Sequence, residues 1–224
     1  MSIISINGKI SSGKDTVGRI IQYLTSKYKD KYDFIEWRDR VENYGSNTYS
    51  PFEIKKYAGK LKTIASLLTG VPVEMFEDQE FKKLDMNPEW GMTYREFLQR
   101  LGTEAMRDGL HTNVWVNALF ADYKEEIYRT PVPTRAAGFI DQYVYPNWII
   151  TDMRFPNEME AVEKRKGITI RVVRNQIKTG NLILEHASET ALNNAKFDYE
   201  IINDGSIEDL VEKVREILIK ENII

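Results

Sequence analysis

Near its amino end the chain reads Gly8-Lys9-Ile10-Ser11-Ser12-Gly13-Lys14-Asp15-Thr16. A glycine, four residues, a second glycine and a lysine make the spacing of a Walker A phosphate-binding loop. Glycines permit a tight turn in which backbone N–H groups point at phosphate oxygens, and the lysine reaches the β- and γ-phosphates. We therefore predict that residues 8–16, called the P-loop below, bind ATP. The structural alternative is a tight turn with an exposed lysine.

The flanking sequence gives the P-loop the context that such a loop needs. Residues 3–6 are rich in isoleucine and predict a buried strand. Residues 14–28 predict a helix, because Val17, Ile20, Ile21 and Leu24 recur at helical spacing on one face. A strand, a loop and a helix therefore follow one another.

Composition limits the classes of protein to consider. The 224 residues are 42% hydrophobic, enough for one domain over 1–224, and 31 basic against 34 acidic side chains give a net charge of -3. This balance gives no case for binding a nucleic-acid polymer. There is no cysteine, and no run approaches the roughly 18 apolar residues of a membrane span. We expect a cytoplasmic protein.

The middle of the chain predicts mostly helices. Residues 34–37 predict a strand before Arg38, and helices are expected over 52–68, 94–108 and 113–127. Residues 129–146 contain three prolines and a glycine without a clear period, so we expect an irregular excursion there.

The last third alternates between strands and helices. Strands are predicted over 148–151, 168–173 and 199–202, with a helix over 157–166 and a final helix capped by Ser206 and Asp209. Alternation of this kind indicates an α/β fold with a parallel sheet of about five strands flanked by helices. Ligands of such sheets bind at the carboxyl ends of the strands.

Three oxygen-bearing side chains are candidate magnesium ligands. Asp15 stands where most Walker A loops have a serine or threonine, and Thr16 follows it, so either could supply an oxygen to Mg²⁺. Asp152 closes the apolar strand at 148–151, the position of a Walker B carboxylate. The alternatives are that Asp15 only complements the helix dipole and that Asp152 only caps a turn.

Transfer of a phosphoryl group needs cations around the transferred group. The candidates in or beside predicted elements are Arg100, Arg107, Arg154, Arg171 and Arg174. Arg154 and Arg174 follow strands on the ligand side of the sheet, so we place them with Lys14 and Asp15 in the catalytic set.

Several stretches together resemble one family. The P-loop is similar to the GKD-type loop of phage deoxynucleoside monophosphate kinases, although animal-type phosphomevalonate kinases also carry a GKD loop. Three further segments are similar to the same family, namely Tyr94-Arg95-Glu96-Phe97-Leu98-Gln99-Arg100-Leu101-Gly102-Thr103-Glu104, Asp152-Met153-Arg154-Phe155-Pro156-Asn157-Glu158 and His186-Ala187-Ser188-Glu189. The Arg-Phe-Pro-Asn-Glu part, residues 154–158, discriminates between families better than the P-loop does.

The resemblance implies an adenylate-kinase-like fold, with ATP and Mg²⁺ as donor and a deoxynucleoside monophosphate as acceptor. It implies a helical acceptor-binding region over about 38–128 and a lid over about 175–194. The residues assigned to the acceptor are Arg38, Arg100, Arg107, Asp152 and Arg154. Arg171 is assigned to ATP. The lid contains Lys178 but no arginine.

The leading hypothesis is a nucleoside monophosphate kinase that phosphorylates deoxynucleoside 5′-monophosphates, in the host cytoplasm if the chain is phage-encoded. One alternative is a P-loop kinase for another phosphorylated metabolite, and a second is a nucleotide-dependent switch. A GTP switch would normally carry Asn-Lys-x-Asp, which the sequence lacks. The partners expected are small nucleotides, with neither nucleic acid nor membrane. The preferred base and a homodimer remain open.

Overall fold

The computed structural model describes residues 2–45, 47–131, 139–174 and 190–224. The chain divides into two compact units, which are Met1–Lys55 with Tyr123–Ile224, and Lys56–Asp122. Most of the predicted lid, residues 175–189, lies outside the described residues. In the part of the chain that is described, no helix is long and apolar enough to cross a membrane.

Seven strands are described, namely β1 (Ile3–Asn7), β2 (Phe52–Lys55), β3 (Glu126–Pro131), β4 (Phe139–Val144), β5 (Asn147–Ile150), β6 (Ile168–Val173) and β7 (Tyr199–Ile202). The α-helices described are α1 (Lys14–Thr25), α2 (Phe34–Tyr44), α3 (Ala58–Thr69), α4 (Tyr94–Gln99), α5 (Val114–Phe120), α6 (Pro156–Glu163) and α7 (Ile207–Lys220). Two 3₁₀ turns, Val73–Glu77 and Phe81–Lys83, follow α3.

The first unit is built on a parallel sheet with the strand order β2-β5-β1-β6-β7. β1 is the central strand, since Ile4 pairs with Ile149 of β5 on one side and with Ile168 of β6 on the other. Its isoleucines are almost completely buried, as expected for a strand covered on both faces. The prediction of an α/β P-loop kinase fold with about five parallel strands is confirmed.

Helix α1 packs on this sheet through the face that its sequence predicts. Val17, Ile20, Ile21 and Leu24 are all fully buried in the main core. Helix α7 adds Leu210, Val214 and Leu218 to the same core. At its start Ser206 and Asp209 form the predicted capping box, in which each side chain accepts a hydrogen bond from the other residue's backbone N–H.

Two local predictions near the start of the chain were wrong. Residues 34–37 begin helix α2 instead of a strand, because the Asp33 side chain accepts a hydrogen bond from Glu36 N (2.8 Å) and caps the helix. Phe34 and Trp37 are buried one helical turn apart. Residues 52–55 form strand β2, and the predicted helix begins only at Ala58.

The region after α5 was also predicted wrongly. Helix α5 ends at Phe120, and residues 126–131 form β3, which pairs antiparallel with β4 from Glu126↔Val144 to Pro131↔Phe139. The expected irregular excursion is therefore a two-stranded hairpin. Residues 132–138 between its strands lie outside the described part.

The second unit is helical, within the region that the resemblance assigns to the acceptor. Helix α4 starts at the predicted cap, where Thr93 Oγ1 accepts from Glu96 N (3.1 Å), and it continues as a π-helix over Arg100–Asp108. The hydrophobic core of the second unit contains Ala65, Phe76, Met86 and Phe97.

Candidate active site

The P-loop adopts a conformation that depends on its glycine spacing. Gly13 has φ +98° and serves as the N-cap of α1, and Ser11 is also left-handed at φ +63°. Ser12 N donates to Lys9 O (3.1 Å) to close the turn. Because Gly13 has no side chain to cap the helix, backbone N–H groups of the first turn can meet an anion.

Space inside the P-loop is kept open at Gly8. A β-carbon placed there would lie 2.3 Å from Ser12 Oγ and 2.8 Å from the Val172 carbonyl oxygen. Ser12 is 2% exposed, and its Oγ has no hydrogen-bond partner within the described residues. A buried hydroxyl in this position fits a phosphate oxygen, since an unsatisfied buried polar atom is costly.

Asn203, just after β7, holds the P-loop from outside. Its Nδ2 donates to Ser12 O (2.8 Å), and its backbone N donates to Val173 O (2.7 Å) at the end of β6. A β-carbon at Gly13 would approach Asn203 Nδ2 to 2.4 Å. The contact therefore fixes the loop and requires glycine at position 13.

Asp15 is held by a residue of the neighbouring strand segment. Thr151 Oγ1, directly after β5, donates to Asp15 Oδ1 (3.0 Å), while Asp15 Oδ2 lies 3.9 Å from Lys14 Nζ. Thr151 is fully buried, whereas the Asp15 side chain is 61% exposed. The outer part of Asp15 can therefore contact a ligand while its inner oxygen is anchored.

The oxygen donors at this site fit Mg²⁺. Asp15 and Thr16 offer a carboxylate and a hydroxyl in the first turn of α1, and the half-buried Asp152 follows Thr151. No group of three or more His, Cys, Asp or Glu that could hold a metal occurs within the described ranges. Mg²⁺ takes few protein ligands and is completed by water and substrate phosphates.

Arg154 lies on a turn that a buried glutamate organises. Glu158 is 3% exposed, and its Oε2 accepts from Arg154 N (2.7 Å) and Phe155 N (3.1 Å) at the start of α6. Asn7 Nδ2 donates to Met153 O (2.9 Å), which ties this turn to the end of β1. The turn that carries Arg154 therefore lies beside the strand that leads into the P-loop.

Arg171 in β6 and Arg174 just after it differ in their surroundings. Arg171 donates to the carbonyl oxygens of Leu192 and Asn193, and its guanidinium lies 4.3 Å from the centre of the Phe197 ring. Arg174 is exposed just beyond β6. The contacts of Arg171 favour a structural role, and its assignment to ATP stays a prediction.

Arg38 is on helix α2 and not at the end of a strand. Its guanidinium contacts Asp39 Oδ1 (3.0 Å) and Glu42 Oε2 (3.9 Å). The strand expected before Arg38 is therefore absent, and the assignment of Arg38 to the acceptor, which came from the resemblance, stays a prediction.

The second unit carries the other two candidate arginines. Arg107 is 6% exposed on the π-helix and donates to Thr112 O (3.3 Å), and Trp115 Nε1 donates to Gly102 O (2.8 Å) on the same helix. Arg100 is more exposed and pairs with Glu96 (2.7 Å). A buried arginine in a short helical unit is a stronger candidate for a fixed anion contact than an exposed, paired one.

Sequence reasoning missed three residues that organise this site, namely Thr151, Glu158 and the side chain of Asn203. A threonine closing the apolar strand at 148–151 was the available signal for Thr151. Glu158 stood three residues after the N-cap position Phe155, the spacing of a capping-box glutamate. The Asn203 contact depends on tertiary packing and had no local signal.

The chain is similar in sequence to proteins of one family. The sequence model of the deoxynucleotide monophosphate kinase family matches residues 56–214. A protein of Acanthamoeba polyphaga mimivirus, provisionally named a deoxynucleotide monophosphate kinase, is 25% identical over 96% of this chain and 94% of its own length. The deoxynucleotide monophosphate kinase of Escherichia phage RB69 is 26% identical over 84% of this chain and 68% of its own. That of Enterobacteria phage T4 is 28% identical over 60% and 48%.

Proposed function

The chain belongs to the deoxynucleotide monophosphate kinase family, and from that premise we propose that it transfers the γ-phosphoryl group of ATP to the 5′-phosphate of a deoxynucleoside monophosphate. The observation that carries the proposal is the P-loop at the carboxyl end of β1, with Gly13 in the left-handed region and the Ser12 hydroxyl buried without a hydrogen-bond partner among the described residues.

The reaction is an in-line displacement at the γ-phosphorus. An oxygen of the acceptor 5′-phosphate forms the new P–O bond while the bond to the β,γ-bridging oxygen breaks, which yields ADP and a deoxynucleoside diphosphate. Lys14 and the N–H groups of α1 stabilise the charge on the β- and γ-phosphates. Arg154 and Arg174 are proposed to contact the transferred group. Asp15 and Thr16 are the residues that would hold Mg²⁺, which would supply positive charge to offset that of the phosphates.

The acceptor needs no strong general base. A phosphate monoester is already ionised near neutral pH, unlike the hydroxyl acceptors of many other kinases. The candidate site accordingly offers arginines and no pairing of an aspartate with a histidine among the described residues. Arg107 of the second unit is proposed to bind the acceptor phosphate, and Arg100 and Arg38 are weaker candidates.

The direct experiment is a coupled assay of ADP release with MgATP and each of dTMP, dGMP, dCMP and dAMP. We expect turnover with at least one of them and loss of turnover in Lys14→Met, which removes the cation from the phosphates. Absence of transfer to all four, together with slow hydrolysis of ATP alone, would instead support a nucleotide-dependent switch.

A further inference from the structure

The contact between Thr151 and Asp15 joins the P-loop helix to the neighbouring strand. Thr151 Oγ1 is the donor and Asp15 Oδ1 the acceptor, at 3.0 Å. A carboxylate cannot donate, so the direction of this hydrogen bond is fixed. Thr151 is fully buried and so does not itself reach a ligand. Any effect of its hydroxyl on the nucleotide passes through Asp15.

Gly18 on α1 leaves room for this contact. A β-carbon at Gly18, one turn after Asp15 on α1, would lie 2.7 Å from Thr151 Cγ2 and 3.5 Å from Ile149 Cγ2. Gly18 therefore lets the strand segment approach α1 closely. Ile149 and Thr151, two residues apart, both face this helix, as residues of an extended chain do at that spacing. Thr151, and not Asp152, is the strand-end residue on that side.

In most P-loop NTPases the arrangement is the opposite. There the P-loop supplies a serine or threonine hydroxyl and the neighbouring strand supplies an aspartate carboxylate. Here Asp15 occupies the P-loop position and Thr151 the strand position, and the hydrogen bond runs between them.

We propose that the hydroxyl and the carboxylate have been exchanged between the two elements, so that Thr151 is a positioning residue that fixes Asp15 as a magnesium ligand. This rests on the proposed function in taking MgATP as the donor. Anchoring of Oδ1 restricts the rotation of the Asp15 side chain and lowers the entropy lost when a cation is bound. Groups that orient a ligand in this way typically change metal affinity by about 10- to 100-fold when they are removed.

The test compares two substitutions of nearly the same size. Thr151→Val keeps the shape and loses the donor, whereas Thr151→Ser keeps the donor and loses the methyl group. Calorimetry measures the affinity for ATP with Mg²⁺ and with EDTA, and the ratio of the two is the magnesium gain. We expect Thr151→Val to reduce this gain about tenfold while the affinity in EDTA stays within about twofold. Thr151→Ser should retain the gain.

A reciprocal exchange gives a second and independent measurement. Asp15→Thr alone removes the carboxylate and should lose the magnesium gain, while Thr151→Asp alone places two carboxylates in contact. The double variant Asp15→Thr with Thr151→Asp restores one hydroxyl and one carboxylate, in the usual order. We expect it to recover most of the gain that Asp15→Thr loses.

An unchanged magnesium gain in Thr151→Val, or equal losses in Thr151→Val and Thr151→Ser, would overturn the proposal. If Thr151→Val does not fold, the reciprocal exchange is the test. A double variant whose magnesium gain is no larger than that of Asp15→Thr would then overturn the proposal. Failure of the proposed function looks different. The magnesium gain would then follow the expected pattern in these variants, but the wild-type protein would phosphorylate none of the four deoxynucleotides.

Discussion

At the scale of single residues, two separate effects favour glycine at position 13, and a comparison with Gly45 can distinguish them. Its φ of +98° disfavours any side chain, and a β-carbon would also meet Asn203 Nδ2 at 2.4 Å. Gly45 has φ +61°, but among the described residues no atom outside its chain neighbours would lie within 4 Å of a β-carbon there. We expect Gly45→Ala to lower the free energy of unfolding by about 1 kcal/mol, from backbone strain alone.

Gly13→Ala should cost more stability than Gly45→Ala and should also weaken ATP binding, because the clash displaces Asn203 from the Ser12 carbonyl. Chemical denaturation and calorimetry with ATP measure the two effects. Equal losses of stability in the two variants, with normal ATP affinity in Gly13→Ala, would show that the Asn203 contact does not shape the loop.

Arg154 provides a test of catalysis at the same scale. The turn around it is held by Glu158 through backbone N–H groups, so removal of the side chain should leave the fold intact. We expect Arg154→Ala to lower kcat/KM by about 100-fold with little change in Tm. Arg40→Ala, which removes an exposed arginine of α2 paired with Glu36, is the matched control. Wild-type kinetics in Arg154→Ala would assign Arg154 to the protein surface.

The P-loop part of the candidate site could be predicted because it is identified by the spacing of a few neighbouring residues. The P-loop needs only its own nine residues and the strand and helix beside them, and all three were recognisable. The partners of the P-loop come from far along the chain, as Thr151 and Asn203 do, and a single sequence does not show which distant polar residue will meet Asp15 or Ser12. The roles of the individual arginines stay predictions.

At the scale of elements, apolar runs with clear limits were predicted correctly. Strand β6 and strand β7 have the predicted bounds. β6 is mostly β-branched, β7 contains two adjacent isoleucines, and polar residues follow both strands. The prediction for residues 34–37 was wrong because a short apolar stretch with Phe34 and Trp37 is compatible with a short strand and with one turn of helix. The N-cap at Asp33 favours the helix. Strand β2 was missed because its four residues run directly into α3.

The π-helix over Arg100–Asp108 gives a prediction for an element. Its wider turn displaces backbone groups from the usual ladder, and Trp115 Nε1 satisfies the Gly102 carbonyl. Trp115→Phe keeps most of the packing but removes this donor. We expect it to lower the free energy of unfolding by about 1–3 kcal/mol. Because Arg107 lies on the same π-helix, KM for the acceptor should rise while KM for ATP stays unchanged.

The measurements are thermal melting and steady-state kinetics with each substrate varied. Trp90→Phe is the control, since Trp90 belongs to the same unit but is 37% exposed. If Trp115→Phe raised KM for ATP and for the acceptor equally, the π-helix would not belong to an acceptor site.

At the scale of the whole molecule, the residues proposed to contact the two substrates belong to different compact units of the chain. The P-loop belongs to the unit Met1–Lys55 with Tyr123–Ile224, and Arg107 to the unit Lys56–Asp122. We expect ATP to slow amide hydrogen exchange around residues 8–16, and the preferred deoxynucleoside monophosphate to slow it mainly within 56–122. Mass spectrometry of exchanged peptides measures both. Protection of residues 8–16 alone by the deoxynucleotide would place the acceptor site elsewhere.

The strand order also determines when the parallel sheet can form during synthesis of the chain. β1 emerges from the ribosome long before both of its neighbours, since Ile3 pairs with Trp148 and Ile4 with Ile168. Until then the apolar β1 and α1 have no sheet to cover them, whereas the unit Lys56–Asp122 is already complete in the nascent chain. Pairing across such separations is slow because a long loop must close first. The helical unit therefore has the opportunity to fold first, and the nucleotide-binding loop is among the last parts to be assembled.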